Sequence, residues 1–345
     1  MRTYKLTFLV LVLGFFISCG SPVERKPLQG CLKIEGTPGP EDIELAVLDK
    51  KPFLIVSSHN RRNMESIGTL FSVDLSTDAK SAKVIPLQAN YPANFRPHGI
   101  SYAKVGGKDT LAVISHTLRE TNPHTLEIFE RDKKGSWVHT KTLEDESLTS
   151  PNDLFLTESG EIFVSNDAGS GGNFRRYWDV LIRSARSDIS YYNGKKFKSL
   201  NEPVLLGNGI LVRKENGSER LYRSVFADDA LSVYEIKRES DGHPNLKLLK
   251  KIPLASGPDN IIQDEKGDLW VAAHKSTYLF LRHASNAKNI SPTQVFRIDG
   301  KTNDVYEIYA DNGEEISAGS TGLPFNGRLY ISQVFEDFLL SCSKP

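Results

Sequence analysis

The sequence predicts an all-β protein: a six-bladed β-propeller with four strands per blade and a short helical insertion. Three observations carry that expectation. A turn, an apolar strand, a second turn and a second apolar strand recur six times. Each period holds further strand-like runs, such as Leu126-Glu127-Ile128-Phe129 and Ser232-Val233-Tyr234-Glu235-Ile236, enough for the four strands of a propeller blade. The rival arrangement, two all-β domains in series, finds no linker between the copies.

The first copy is Gly39-Pro40-Glu41-Asp42-Ile43, a turn at Asp49-Lys50-Lys51, then Phe53-Leu54-Ile55-Val56, ending at His59. The second runs from Pro97-His98-Gly99-Ile100 through Gly106-Gly107-Lys108 to Leu111-Ala112-Val113-Ile114 and His116. The third, Pro151-Asn152-Asp153-Leu154, turns at Glu158-Ser159-Gly160 and continues through Ile162-Phe163-Val164 to Asn166-Asp167. The fourth begins at Gly207-Asn208-Gly209-Ile210. The fifth begins at Gly257-Pro258-Asp259-Asn260 and ends at His274. The sixth begins at Gly319-Ser320-Thr321-Gly322. From Glu41 to His98, Asn152, Asn208, Asp259 and Ser320 the steps are 57, 54, 56, 51 and 61 residues, which is the spacing of blades in a ring. One stretch departs from strand chemistry. Between Phe174 and Asp188, Trp178, Leu181, Ile182 and Ala185 fall at helical spacing, with arginines around them. That helix could lid a site, touch a membrane surface or pack on the propeller's face.

The N-terminus reads as a targeting segment and not as part of the fold. Arg2 and Lys5 precede an apolar run from Leu6 to Ile17 that is short for a membrane span. Ending in Ser18-Cys19-Gly20, it resembles a bacterial lipoprotein signal, which makes residues 1–18 the signal peptide and Cys19 the lipidated residue. Ordinary signal cleavage near Ser18 is the alternative. Under the lipoprotein reading the chain sits in the bacterial cell envelope on a lipid anchor, and Gly20 after Cys19 favours the outer membrane by resemblance to sorted lipoproteins. Residues 19–30 read as a linker and 31–345 as the propeller. Three cysteines in an exported chain leave one over. Lipidation of Cys19 resolves the count and leaves Cys31 and Cys342 as a disulfide near the two ends, in a compartment where such bonds persist. Two separate free thiols are the other possibility.

Lys and Arg number 43, as do Asp and Glu, so the formal net charge is zero and the basic surplus of a nucleic-acid binder is missing. No Gly-x-Ser-x-Gly elbow, HExxH pair or phosphate loop is present, which removes support for a serine hydrolase or a zinc protease. The first strand of each blade lines the central channel. The repeat therefore converges Glu41-Asp42, His98, Asn152-Asp153, Asn208, Asp259-Asn260 and Ser320 on the axis. Crowded carboxylates repel unless cations intervene, and hard oxygen donors without thiolates point to calcium. Neighbouring strand residues point to opposite sides, so Asn152 and Asp153 suggest two calcium ions at different depths. His98 and His116 bound one inner hairpin. Beside a calcium, His98 could act as a general base, with His116 fixing its tautomer or relaying the proton. His59 and His274 close equivalent hairpins and read as ordinary polar residues.

Taken together, Glu41-Asp42, Phe95-Arg96-Pro97-His98-Gly99-Ile100-Ser101, Pro151-Asn152-Asp153, Asn208-Gly209-Ile210 and Asp259-Asn260 with Gly267-Asp268-Leu269-Trp270-Val271 resemble the serum paraoxonase/arylesterase family of six-bladed calcium-dependent lactonases, from Cys31 to Cys342. The resemblance implies a catalytic calcium held by Glu41, Asn152, Asn208, Asp259 and Asn260. It implies a structural calcium held by Asp42, Asp153 and the backbone carbonyl of Ile100, a His98–His116 dyad, and a ring-closing Cys31–Cys342 bond. The chain departs from the family at Leu206-Gly207, where an aromatic substrate contact is usual, at Ala168, where a histidine is, and in the loop from Ser58 to Ser66. The expected activity is hydrolysis of small lactones or carboxylic esters, with a calcium-bound carboxylate such as Asp259 as an alternative base or nucleophile. Two rivals are a non-catalytic calcium-stabilised propeller that binds a partner on its face and a gluconolactonase-like sugar lactonase with one metal. The oligomeric state is not legible in the sequence.

Overall fold

A computed structural model describes residues 23–63, 65–116 and 123–344; the signal segment 1–18 and Cys19 lie outside the described residues. The described residues form six four-stranded antiparallel sheets. The inner strands are Pro40–Leu48, Pro97–Val105, Pro151–Leu156, Gly207–Glu215, Gly257–Gln263 and Gly319–Phe325, the six starts expected from the repeat. The core lies between neighbouring blades: Ile55 and Leu70 of blade 1 pack with Leu111, Val113 and Phe129 of blade 2, and Leu211 and Tyr222 of blade 4 pack with Leu269 and Val271 of blade 5. Both faces of each sheet are thereby buried, which is why the second strand of each blade is an apolar run such as Leu269-Trp270-Val271-Ala272-Ala273.

The ring closes by sharing blade 6 between the two ends of the chain. Leu32–Glu35 adds as its outermost strand, antiparallel to Phe338–Ser343, with Leu32 opposite Ser341. Cys31 and Cys342 are disulfide-bonded across this seam. The clasp joins positions 311 residues apart, so it constrains nearly the whole unfolded chain.

Two expectations are corrected, and a second helix joins the one expected. Residues 23–30 are not a free linker. Val23 donates its N–H to Asn312 Oδ1 at 2.9 Å, Arg25 pairs with the buried Asp311 at 3.1 Å, and Lys26 exchanges backbone hydrogen bonds with Ala310. The Arg25 cation answers the Asp311 carboxylate and pins the segment to the outer edge of blade 5. Helix α1 spans Gly172–Leu181, ending before Ala185, because Arg183 takes a left-handed conformation (φ 53°) and Ser184 N–H caps Asp179 O. A second helix, α2 (Thr277–Ser285), follows the inner hairpin of blade 5, with the Ser276 hydroxyl accepting the Leu279 N–H as its N-cap.

Candidate functional site

A regular inner strand sends its side chains to the two neighbouring blades and none to the axis. Every inner strand here breaks that rule at its first turn. Register shifts fall between Pro40 and Asp42, Pro97 and Ile100, Pro151 and Asp153, Gly207 and Ile210, Pro258 and Ile261, and Gly319 and Gly322. These bulges re-aim side chains, and the polar residues of the repeat sit in them. Two glycines let neighbouring bulges approach. A Cβ on Gly99 would lie 2.6 Å from Asn152 O, and one on Gly209 would lie 2.4 Å from Asp259 O.

The polar residues sort into two levels. Glu41, His98, Asn152, Asn208 and Asp259 line a cavity of about 310 Å³ at one mouth of the channel. Asp42, Ile100, Asp153 and Asn260 line a second cavity, of about 210 Å³, toward the other end. Asn152 and Asp153 thus serve different levels, as the sequence suggested. At the deeper level the carboxylates stitch blades together. Asp42 Oδ2 accepts from Ile100 N–H and Asp153 Oδ2 from Ile210 N–H, both at 2.8 Å. Asn260 stands between the levels, its Nδ2 donating to Thr321 Oγ1 at 2.9 Å and to Glu41 Oε1 at 3.3 Å. Ser320 does not face the mouth as a donor site; its hydroxyl, with that of Ser332, donates to the Glu41 carbonyl.

Four buried oxygens at this centre have no hydrogen-bond partner: Glu41 Oε2, Asn152 Oδ1, Asn208 Oδ1 and Asn260 Oδ1. An unsatisfied buried acceptor is unfavourable by about 1–3 kcal/mol, so four in one place call for an explanation. Among the described residues no three His, Cys, Asp or Glu side chains by themselves form a metal cluster. The oxygen set available to a cation is instead mixed, with amides outnumbering carboxylates. Burial pushes the Glu41 carboxyl well above the usual range, with Asp42 and Asp259 adding to the rise and Arg61 opposing it. Burial likewise raises Asp42 to about 7 and Asp153 well above its ordinary value.

His98 and His116 meet because their hairpin pairs Pro97 with Ser115. Their rings stack face to face, 4.4 Å apart at 15°. His116 Nε2 lies 2.6 Å from Pro151 O, so that nitrogen is a donor and the ring is fixed. His98 Nδ1 accepts from Arg61 Nη2 at 3.0 Å, and its Nε2 lies 3.8 Å from Glu41 Oε1. Two partners were missed in the sequence. His274 Nε2 lies 2.8 Å from Asp259 Oδ2, with both side chains buried. Arg61 comes from the loop between the second and third strands of blade 1, a stretch without periodicity. His59, beside it, is structural: burial, then Arg61, pushes it down to about 4, and its Nε2 pairs with Ser66 O. The rest of the cavity wall is mostly apolar, formed by Leu206, Phe226, Phe280, Leu281, Val334 and Phe335, with Thr277 and the Asp167–Arg176 ion pair (2.9 Å) as its further polar groups. Phe226 and α2's Phe280 flank the His274 ring.

Fold and site together define a six-bladed propeller whose bulged inner strands gather oxygen donors and imidazoles in one channel mouth. The chain belongs to the arylesterase family, whose sequence model matches residues 57–343. It is 25% identical to serum paraoxonase/arylesterase 2 of Homo sapiens over 275 residues, 78% of this chain and 75% of that protein. The Rattus norvegicus protein of the same name is 24% identical over 336 residues, 94% and 92% of the two chains. Mechanosensory abnormality protein 6 of Caenorhabditis elegans is 26% identical over 258 residues, 72% of this chain and 66% of that one. Among solved structures, a protein described as a gluconolactonase superposes with a TM-score of 0.51 at 15% identity, covering 93% and 94% of the two chains. At that identity the likeness shows the fold alone.

Proposed function

We propose that the chain is a calcium-dependent hydrolase of lactones or carboxylic esters. The observation that carries this reading is the convergence of four orphaned oxygens, on Glu41, Asn152, Asn208 and Asn260, beside Asp259. Hard, mixed carboxylate and amide donors suit calcium, which accepts six to eight oxygens in flexible geometry. Glu41, Asn152, Asn208, Asp259 and Asn260 would hold one ion; Asp42, Asp153 and the Ile100 carbonyl would hold a second, deeper one. When bound, calcium supplies Lewis-acid polarisation of a carbonyl and stabilisation of the developing oxyanion.

The chain's own residues do the rest. Leu206, Phe226, Phe280 and Phe335 take the apolar part of the substrate and exclude water from the mouth. The stacked His116 ring, anchored at Pro151 O, holds His98 in place over the site. In the arrangement described, Arg61 donates to Nδ1 of His98, so the neutral ring carries its proton on Nε2. Nδ1 is therefore the nitrogen through which His98 would act as base, in competition with its hydrogen bond from Arg61. A second reading of the base has an observation of its own. Asp259 Oδ2 is held by His274 at 2.8 Å, so a water proton could pass to that carboxylate. A lactone and aryl-ester panel, run with calcium and with chelator on wild type, His98→Gln and Asp259→Ala, tests the proposal. Calcium-dependent hydrolysis supports it; loss of rate in His98→Gln with calcium affinity kept assigns the base to His98, and loss of rate in Asp259→Ala counts for Asp259 as base only where calcium affinity is kept. No hydrolysis across a broad panel gives the protein to the partner-binding alternative.

A further inference from the structure

Three polar side chains from three blades meet behind the apolar wall of the channel mouth. Arg62 comes from the loop between Lys51–Ser58 and Thr69–Asp74, His283 from helix α2, and Glu336 from the turn between Arg328–Gln333 and Phe338–Ser343. Arg62 Nη2 donates to His283 O at 2.9 Å and lies 3.2 Å from His283 Nε2, itself 2.9 Å from Glu336 Oε1. Arg62 pairs with Glu336 Oε1 at 3.4 Å, and its Nη1 donates to Phe335 O at 3.3 Å. The guanidinium lies 4.7 Å from the centre of the Phe335 ring, which the His283 ring meets edge-on at 5.4 Å. None of the three polar residues lines the cavity, whereas Phe335 and α2's Thr277, Phe280 and Leu281 do.

Helix α2 is a lightly attached part of that wall. His283 is its one buried residue, while Tyr278 and Leu281 are 43% and 51% exposed. A helix of nine residues does not persist in water by itself, so its place depends on what holds it. At its start, Ser276 caps it and Phe280 packs on the His274 ring at 4.8 Å. At its end, the His283 carbonyl carries the helix's partial negative charge and receives the Arg62 cation. His283 Nδ1 donates to Asn289 O at 2.6 Å, but Asn289 belongs to the loop that follows α2 and does not tie the helix to another blade.

We infer that Arg62 and Glu336 are positioning residues that hold α2 by His283 as one wall of the substrate cavity, and so set how large a group the cavity accepts. This rests on the hydrolase reading above. Without the two ties, the polar contacts that fix the end of α2 to blades 1 and 6 are gone, and Phe280 and Leu281 shift with the helix. Phe335, 5.6 Å from Phe280, loses the cation over its face in the same change. The cavity of about 310 Å³ then admits longer acyl groups than its packed wall allows. Arg62 and Glu336 take no part in the bond changes, so their removal alters substrate binding and leaves the chemical step in place.

A clamp that only stabilises the propeller is the competing explanation. Full-length wild type, Arg62→Met, Glu336→Gln and the double variant Arg62→Met/Glu336→Ala are compared by peptide-resolved hydrogen exchange and by kinetics on an aryl acetate and the matching aryl hexanoate. Positioning predicts that the α2 amides of the double variant exchange about tenfold faster while the blade strands keep their protection. It predicts that the preference for hexanoate over acetate rises about tenfold through KM, with kcat on the acetate within about twofold of wild type. Arg62→Met moves in the same direction by less, and Glu336→Gln, whose amide oxygen still accepts from Arg62, stays near wild type. A lower melting temperature with α2 exchange and the ester preference both unchanged overturns the inference. Should the double variant fail to fold, unchanged exchange and preference in Arg62→Met overturn it equally. Hydrolysis of neither ester by wild type removes the hydrolase reading and the selectivity with it, which is distinct from an unmoved α2 in an active enzyme.

Discussion

Asp259 Oδ2 sits 2.8 Å from Nε2 of His274, and both side chains are buried at the wall of the channel mouth. The two are 15 positions apart in sequence, brought together where the inner strand of blade 5 bulges opposite the end of its partner. The pairing fixes the direction of a carboxylate that, in the proposed reading, serves as an oxygen donor to calcium and as a candidate base. His274→Gln should therefore weaken calcium binding or lower the hydrolytic rate by about 10- to 100-fold, the usual effect of removing a group that orients a ligand. Chelator competition and steady-state kinetics read the two quantities separately.

Asn152→Ala should change sign with calcium. Without the ion, the substitution removes an orphaned buried acceptor, so the melting temperature should hold or rise. With saturating calcium, the variant should melt lower than wild type because a donor to the ion is gone. Thermal melts with chelator and with calcium give both arms.

Stability without calcium should fall as pH rises. Burial holds Asp42 at about 7 in the fold, and Glu41 and Asp153 are raised as well, whereas the unfolded chain titrates near ordinary carboxylate values of about 4. Between those limits the native state binds more protons than the unfolded state, so unfolding becomes easier with increasing pH. Melting temperatures in chelator should decline from about pH 5 to about pH 8, and calcium should flatten that decline, since a cation replaces the protons.

Cys342→Ser should lower the melting temperature without abolishing the fold. The bond ties the ends of a 311-residue separation, but blade 6 keeps its backbone ladder between Leu32–Glu35 and Phe338–Ser343. A loss of about 2–4 kcal/mol in unfolding free energy is the ordinary scale for such a bond. Equilibrium denaturation of the variant beside wild type measures it.

The repeat was legible because each blade must bury both faces of a short sheet, and that need writes the same apolar hairpin six times. The disulfide partners were legible by cysteine count. That Asn152 and Asp153 serve different sites could be read from strand alternation, whereas their division by depth along the channel comes from the bulge between Pro151 and Asp153, which the sequence does not show. His274 escaped because its partner lies across a hairpin, and a histidine ending a strand looks the same whether it meets a carboxylate or a carbonyl. Arg61 escaped for a different reason. Its loop has no periodicity, and its reach to His98 depends on how blades 1 and 2 meet. Residues 23–30 looked like a linker because their contacts are to Ala310, Asp311 and Asn312, far along the chain.

The central claim, that the oxygens of the channel mouth hold calcium for hydrolysis, is tested most directly by measuring lactone and aryl-ester turnover against free calcium for wild type and Asp259→Ala. The account predicts turnover that disappears in chelator, returns with calcium, and is lost in Asp259→Ala together with calcium affinity. Turnover that persists in chelator, or calcium binding that is unaffected by Asp259→Ala, would contradict it.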